Sequence, residues 1–373
     1  MSDTPTVPSL PERAEVDATV KVIDDHADRI FSWNYERERP QLVTLYNKGM
    51  SSQWNSVTEL DWATDVDLDR LVHESKQPNL SVLIAREAAK VPGSPFAAWG
   101  DREFTALGVE TYKAQLSQFM HGEQGAMMAA AKIVETVPWI DAKYYAATQT
   151  MDEARHTEVF AKYIHTKLGD AYPMNDDLEQ QVTDLLEDSR WDFTYLGMQI
   201  VIESLALAVF GTMLRNVEEP LLKKLLRYVM SDEARHVAFG VLSLHELYQD
   251  MSSADLKDRQ EFLAENTLRS RYRSLNPEMW ERLGIDFHAA LPSLQEGASR
   301  LDMSVYNGFN QGFFAKLVPN VRKLGLLDAN DGYLRRLWGE KGLLDYEFAD
   351  DTGEDYTSYD EVARDRAASA ASA

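Results

Sequence analysis

The sequence predicts an all-α protein built around a four-helix bundle. Leu, Ala, Glu, Lys, Arg and Met recur at helical spacing, whereas alternating runs of Val, Ile and Thr between turn residues are scarce. Prolines and glycines divide the central pattern into four long helices. A chain of 373 residues can form one helical domain with extensions. We therefore expect a single domain over residues 17–344.

The segments N-terminal to the bundle are expected to pack around it. Residues 1–16 are polar and punctuated by proline, which predicts a flexible N-terminus. Helical patterns follow over residues 18–33 and 40–54. An irregular acidic stretch covers residues 58–69.

The bundle itself is predicted over about residues 101–250. In the first helix pair, the pattern runs over 101–137 until Pro138, which cannot continue a helix, and resumes over 140–168. In the second pair, helices are predicted over 185–217 and 221–250. The proline between them, Pro220, suits the first turn of a helix.

Shorter helices are predicted after the bundle, without an assigned function. The acidic segment 345–373 ends in an Ala/Ser tract and is expected to be a flexible C-terminal tail. The short helices are predicted over residues 254–275, 277–282, 297–316 and 333–344.

Composition excludes several classes of function. A formal net charge of −23, from 38 basic and 61 acidic residues, disfavours nucleic acid and anionic membrane surfaces as partners. The absence of cysteine excludes thiolate metal sites and iron–sulfur clusters, so any metal must bind nitrogen and oxygen ligands. No apolar stretch reaches membrane-spanning length, and a cytoplasmic protein is expected.

One motif carries candidate chemistry because it is duplicated. The pentapeptide Asp-Glu-Ala-Arg-His starts at Asp152 and again, 80 residues later, at Asp232. Its Glu and His are three residues apart, so both lie on one face of a helix. Another glutamate precedes each motif glutamate by 30 residues. The six candidate metal ligands are Glu123, Glu153, His156, Glu203, Glu233 and His236.

This motif has two possible interpretations. A single copy would also suit a solvated helix face, because its residues are common on helix surfaces. Two copies, two matched glutamates and apolar neighbours such as Phe119 and Ile200 favour a buried metal centre. Four carboxylates would balance the charge of two divalent ions, and carboxylate with imidazole suits iron or manganese.

These residues make the sequence resemble the ferritin-like di-iron carboxylate superfamily, specifically its O₂-activating branch. That branch includes multicomponent monooxygenase hydroxylases, benzoyl-coenzyme A epoxidase, acyl-carrier-protein desaturases, arylamine N-oxygenases and ribonucleotide reductase small subunits. The resemblance covers roughly residues 101–250. It implies two iron ions (Fe²⁺/Fe³⁺) as the cofactor, with manganese in one or both positions as an alternative.

The resemblance also implies a role for each motif residue. Glu153 and Glu233 would bridge the two ions, Glu123 and Glu203 would be terminal ligands, and each ion would take one histidine. The residue before each motif glutamate would orient the opposite histidine, so Asp152 would act on His236 and Asp232 on His156. The motif arginines would pair with these aspartates or, alternatively, form surface ion pairs; they are Arg155 and Arg235.

Three positions depart from known subgroups of the superfamily. Phe160 stands where reductase small subunits have a radical tyrosine. Val229 stands where arylamine N-oxygenases have an additional histidine ligand, and Leu207 where many multicomponent hydroxylases have threonine. The sequence therefore assigns no subgroup.

The expected function is an oxygenase or oxidase that uses O₂ to hydroxylate, N-oxygenate or desaturate a small organic or acyl substrate. A ferredoxin or reductase would supply electrons, and a symmetric homodimer is the expected oligomer. The alternatives are a ferritin-like iron-oxidising and storage protein and a Mn/Fe ligand-binding oxidase. Side chains near the ligands are either substrate-pocket residues or ordinary packing; they are Phe119, Ala126, Gln149, Phe160, Ala206 and Phe210.

Overall fold

The computed structural model describes residues 21, 23–77, 79–269, 276–302, 308–349 and 360–372. These residues form helices, turns and irregular segments, and no β-strand occurs among them. The predicted all-α fold is confirmed. The flexible N-terminus predicted for residues 1–16 lies outside the described residues.

The first pair of bundle helices consists of α1 (Asp101–Thr136) and α2 (Ile140–Tyr163). Between them, Val137 has extended backbone angles (φ −70°, ψ 137°), because the proline that follows excludes the helical conformation. α2 continues as one π-helical turn, Ile164–Leu168, and ends at Gly169, whose φ of 100° favours glycine. The boundaries predicted for this pair agree with the structure.

The second pair consists of α3 (Trp191–Asn216) and α4 (Pro220–Gln249). The carboxylate of Glu219 caps α4 by accepting two backbone N–H groups of its first turn, at 2.9 and 2.6 Å. Pro220 occupies the first turn as predicted. α3 contains a π-helical segment, Leu196–Ile202, which ends immediately before Glu203.

The start of α3 differs from the prediction. Residues Asp176–Glu187 form a separate helix, and the chain turns at Asp188, whose carboxylate accepts a 2.8 Å hydrogen bond from the N–H of Arg190. The apolar pattern in the sequence continues across this turn, because the last leucines of the separate helix are buried, as are those of α3. The predicted helix over 185–217 is therefore wrong at its start, because residues 185–187 end the separate helix and residues 188–190 are not helical.

α3 is the central core helix. Within the described part of the chain, it is the one helix long and apolar enough to cross a membrane, with a mean hydropathy of 1.6 over its most apolar window. However, 78% of that window is buried inside the protein. Such burial is what an apolar helix at the centre of a bundle requires.

The segment before the bundle is extended rather than helical. A helix was predicted over residues 18–33, but the described residues 23–33 are not helical. The N–H of Ile30 donates to the backbone oxygen of Glu135 at 2.8 Å, and Arg29 pairs with the Glu135 carboxylate at 2.7 Å. These bonds fix the segment against the end of α1 and replace the hydrogen bonds that a helix would make.

The remaining helices agree with the prediction in part. The helix predicted over 297–316 is wrong, because the chain forms Phe287–Ser299 and Gly308–Lys323 instead. Phe287–Ser299 packs closely on the helix Leu80–Ala88 at Gly297, where a Cβ would lie 2.5 Å from the backbone oxygen of Ile84. The other helices are Pro40–Ser51, Leu68–His73, Ser253–Arg269, Pro277–Arg282 and Ala329–Gly339.

The acidic C-terminal segment, expected to be flexible, contains a helix. Residues Glu361–Ser372 are helical. The carboxylate of Asp365 accepts hydrogen bonds from Arg227 and Tyr228 of α4 at 2.9 and 3.0 Å. These charged and polar contacts dock the helix against the bundle.

Candidate metal centre

The six predicted ligand residues meet inside the bundle. α2 and α4 each contribute one Glu-x-x-His motif, α1 and α3 each contribute one glutamate, and all six side chains are buried. They form two groups, in each of which the ligand atoms lie within 4.8 Å of one another. One group is Glu123, Glu153, His156 and Glu233, and the other is Glu153, Glu203, Glu233 and His236.

Glu153 and Glu233 belong to both groups. The two oxygens of Glu153 lie 3.3 Å from His156 Nδ1 and 3.1 Å from His236 Nδ1. The two oxygens of Glu233 lie 3.0 and 2.8 Å from the same two nitrogens. Each carboxylate thus places one oxygen beside each histidine, as a ligand bridging two ions would.

Glu123 and Glu203 each belong to one group. Glu123 Oε2 lies 3.3 Å from His156 Nδ1, and Glu203 Oε1 lies 3.4 Å from His236 Nδ1. Each of these carboxylates could therefore serve a single ion. The centre consists of two half-sites that share Glu153 and Glu233.

The donor atoms fit two divalent cations. Within the described chain, Glu153 Oε2 and Glu233 Oε1 are buried without a hydrogen-bond donor. A buried, unpaired carboxylate oxygen is costly unless a cation compensates it. Four carboxylates and two imidazoles form an oxygen and nitrogen donor set suited to iron or manganese. The buried Glu and His groups could hold a dinuclear metal site.

The protein's own charges set the protonation of this centre. Burial, followed by the charge of Glu233, raises the pKa of both Glu123 and Glu203 well above the ordinary value. Burial also opposes ionisation of Glu153, but the neighbouring imidazoles hold its pKa below the ordinary value. Burial opposes protonation of His156, but the surrounding carboxylates raise its pKa well above the ordinary value.

We expect metal binding to release protons and to weaken as pH falls. The pKa values of Glu123, Glu203, His156 and His236 are all raised, which favours their protonated forms, and a divalent ion must displace such protons in order to bind. Because protons are products of binding, acidification favours the unbound protein. Calorimetric titration with Mn²⁺ in buffers of different ionisation enthalpy measures the number released. Affinity that stays constant between about pH 6 and 8 would contradict this expectation.

Each histidine is oriented by the aspartate of the opposite motif. His156 Nε2–H donates to Asp232 Oδ2 at 3.0 Å, and His236 Nε2–H donates to Asp152 Oδ2 at 3.4 Å. Because Nε2 donates to the aspartate, Nδ1 is the nitrogen of each ring that faces the glutamates, and it could bind an ion once its proton is lost. The contacts match those that the family resemblance implied.

The motif arginines lie inside the protein. Arg155 donates to Asp152 at 2.5 Å and to Asp232 at 2.9 Å. Arg235 donates to Asp232 and, at 2.9 Å, to the backbone oxygen of Ser231. Because both guanidinium groups are buried, the alternative of surface ion pairs is wrong.

Two partners of this network were not predicted from the sequence. Trp54 Nε1–H donates to Asp232 Oδ2 at 2.8 Å, and the Trp54 ring lies 4.6 Å from the Arg155 guanidinium carbon. Gln53 donates to Asp152 at 2.7 Å and accepts from Arg155 at 2.7 Å. Both residues follow the helix Pro40–Ser51, about a hundred positions before the first motif, where no sequence pattern marks them.

Replacing Asp152 by alanine is expected to weaken metal binding about 10- to 100-fold. The substitution removes the acceptor that orients His236, and it also leaves Gln53 without its carboxylate partner. Anaerobic Fe²⁺ titration of the variant measures the loss. Asp188→Ala is a matched control, because Asp188 pairs with the exposed Arg190 away from the centre. Equal affinities in the two variants would exclude Asp152 from the site.

Three of the predicted pocket residues form one aromatic cluster, and a fourth packs beside it. Phe119, Phe160 and Phe210 pack against one another with ring centroids 4.8 to 5.8 Å apart. Ala206 lies beside them in the same apolar cluster. The aromatic cluster adjoins the half-site of Glu123, since Phe119 is one helical turn before that ligand.

The other two predicted pocket residues lie elsewhere. Ala126 packs in a separate apolar cluster, whereas Gln149 donates hydrogen bonds to two of the glutamates. The described residues also enclose a cavity of about 160 Å³ beside the π-helical segment of α3, and none of the six predicted residues lines it. Its lining includes Leu185, Gly197, Val201, Ile202 and Phe262.

Fold and site together define a helical-bundle protein with a buried centre suited to two metal ions. No model of a known protein family matches the chain, and no curated protein matches it. The solved structures similar to it include R2-like ligand-binding oxidases.

Three of these structures illustrate the degree of similarity. A single-residue variant with a Mn/Fe cofactor has 16% identity and a TM-score of 0.47, covering 78% of this chain and 94% of the other. A form with an aerobically reconstituted Mn/Fe cofactor has 14% identity and a TM-score of 0.46, covering 78% and 93%. A variant with an Fe/Fe cofactor has 14% identity and a TM-score of 0.46, covering 78% and 94%. At these values the likeness carries no inference about the reaction.

Proposed function

We propose that the protein is a non-haem dinuclear metal oxidoreductase that uses O₂ to oxidise a small organic or acyl substrate. The observation that carries this proposal is the pair of Glu-x-x-His motifs sharing two carboxylates in a buried bundle core. Two iron ions bound there would supply electrons for the reduction of O₂, and a cytoplasmic ferredoxin or reductase would restore them. Hydroxylation, N-oxygenation and desaturation are the reactions that such a centre supports.

The residues around the centre have distinct tasks in this proposal. Glu153 and Glu233 belong to both ligand groups, so each of them would help to hold both ions. Asp152 and Asp232 keep Nδ1 of each imidazole directed at the glutamates. The aromatic cluster, defined by Phe119, Phe160 and Phe210, excludes water from one side of the centre.

Anaerobic reconstitution tests the proposal. The protein is depleted of metal with a chelator, loaded with Fe²⁺, analysed for metal content and mixed rapidly with O₂ while absorbance is recorded. We expect about two ions per chain and an O₂-dependent absorbance change. Failure to bind iron would overturn the proposal. Many ions per chain in a cage-like assembly would instead establish the storage protein, and loading from equimolar Mn²⁺ and Fe²⁺ distinguishes Fe/Fe from Mn/Fe.

A further inference from the structure

The two half-sites are duplicated in their ligands but not in the residues one helical turn before them. The ligands correspond at an offset of 80 positions, as Glu153 does to Glu233. At the same offset, Gln149 corresponds to Val229 and Phe119 corresponds to Gln199. Each of the two amides therefore corresponds to an apolar side chain in the other repeat.

The two amides act on the half-site of Glu203 and His236. Gln149 Nε2–H donates to Glu153 Oε1 and to Glu203 Oε1, both at 2.9 Å. Gln199 Nε2–H donates to Gln149 Oε1 at 2.8 Å. Because the Gln149 oxygen is engaged by Gln199, its NH₂ group must face the carboxylates. All of these side chains are buried.

The backbone of α4 makes room for this amide pair. Gly240 lies so close to Gln199 that a Cβ at position 240 would be 2.5 Å from the Gln199 Cβ. Any larger residue at 240 would displace Gln199. Glycine at this position therefore lets Gln199 lie between the helices and hold Gln149.

Among the described residues, no amide donates to Glu123, the carboxylate that belongs only to the other half-site. Within the described chain, the one hydrogen-bond partner of the Glu123 carboxylate is His156, at 3.3 Å. The position that corresponds to Gln149 is Val229, which is fully buried among apolar side chains. The position that corresponds to Gln199 is Phe119, which packs in the aromatic cluster.

We propose that Gln149, held by Gln199, makes the two metal positions unequal, so that the position of Glu203 and His236 binds its ion more tightly and fills first. Two hydrogen bonds from one amide hold Glu153 and Glu203 in place before an ion arrives, which reduces the ordering that binding requires. Glu123 lacks this support, so its position fills second. Gln149 is a positioning residue. The inference rests on the proposed function, because it requires that the six ligand residues bind two ions.

Calorimetric titration with Fe²⁺ under anaerobic conditions tests the inference without any measurement of activity. For the unmodified protein we expect two dissociation constants that differ by at least about tenfold. Gln149→Leu is expected to weaken the tighter site about 10- to 100-fold and to leave the weaker site nearly unchanged. The matched control is Val229→Leu at the corresponding position, which adds no amide and is expected to leave both constants nearly unchanged.

Single-site variants identify which position the amide supports. His156→Ala leaves the position of Glu203 and His236, and His236→Ala leaves the position of Glu123 and His156. When added to His156→Ala, Gln149→Leu is expected to weaken Fe²⁺ binding strongly. When added to His236→Ala, it is expected to weaken Fe²⁺ binding only slightly. The opposite pattern, or equal affinities for two ions in the unmodified protein, would overturn the inference.

A double variant keeps the outcomes distinct. Gln149→Leu leaves the Gln199 amide without its acceptor, and the variant could unfold for that reason. Gln149→Leu/Gln199→Leu removes both amides together, and the same loss at the tighter site is expected from it. If the unmodified protein binds no Fe²⁺ at all, the proposed function fails. If it binds two ions and neither leucine variant changes either dissociation constant, this inference alone fails.

Discussion

Substitution of Glu153 by alanine is expected to remove both metal ions from the protein. The carboxylate of Glu153 places one oxygen beside His156 and the other beside His236, so both positions lose a ligand at once. Glu203→Ala removes a ligand of one position, and we expect it to retain the ion of the other. Metal analysis after anaerobic loading should fall from about two ions per chain to nearly none for Glu153→Ala, and to about one for Glu203→Ala.

Glu158→Ala provides the matched control for this experiment. Glu158 lies on the same helix, five residues after Glu153, but it is exposed and accepts a hydrogen bond from Ser56. Its replacement should leave the metal content unchanged. Circular dichroism establishes that each variant is folded. Two ions retained in a folded Glu153→Ala protein would refute the assignment of the centre.

The second large effect is expected on stability. Asp232 is fully buried and accepts hydrogen bonds from Trp54, Arg155 and Arg235. Asp232→Ala leaves the Arg235 guanidinium buried without its carboxylate, and loss of one partner of a buried ion pair costs about 3–5 kcal/mol. We expect the free energy of unfolding, measured by urea denaturation of metal-depleted protein, to fall by about that amount.

An exposed ion pair supplies the comparison for this measurement. Glu74 pairs with Arg70 on a helix surface at 2.8 Å, and both side chains are about half exposed or more. Glu74→Ala should therefore lower the free energy of unfolding by less than about 1 kcal/mol. Equal effects of Asp232→Ala and Glu74→Ala would show that the buried network contributes little to stability.

These two expectations arise from two separate charge balances. The aspartates and arginines of the motifs, two negative and two positive, compensate one another inside the protein. Within the described part of the chain, the four ligand glutamates form no ion pair with arginine or lysine, and the two histidines are their partners. Two divalent ions would balance the four glutamates, whereas the network of Asp232 has arginines of its own.

Much of the bundle could be predicted because the sequence features that define its helices act locally. Prolines stop or start helices through their own backbone geometry, so the ends of α1 and the start of α4 appear in the sequence. Local patterns misplaced the start of α3, since the leucines of Asp176–Glu187 continue its apolar character. They also failed at residues 23–33, where pairing with Glu135 outweighs helical propensity.

The sequence by itself determined the six ligand candidates, because a spacing of three residues on a helix places Glu and His on one face and the duplication repeats that face. The tertiary structure decided how the half-sites differ. Gln149 contacts Glu203 and Gln199, and Trp54 contacts Asp232, only because the fold brings separate segments of the chain together. Helical periodicity depends on neighbouring residues, whereas contacts between helices depend on how the whole core packs.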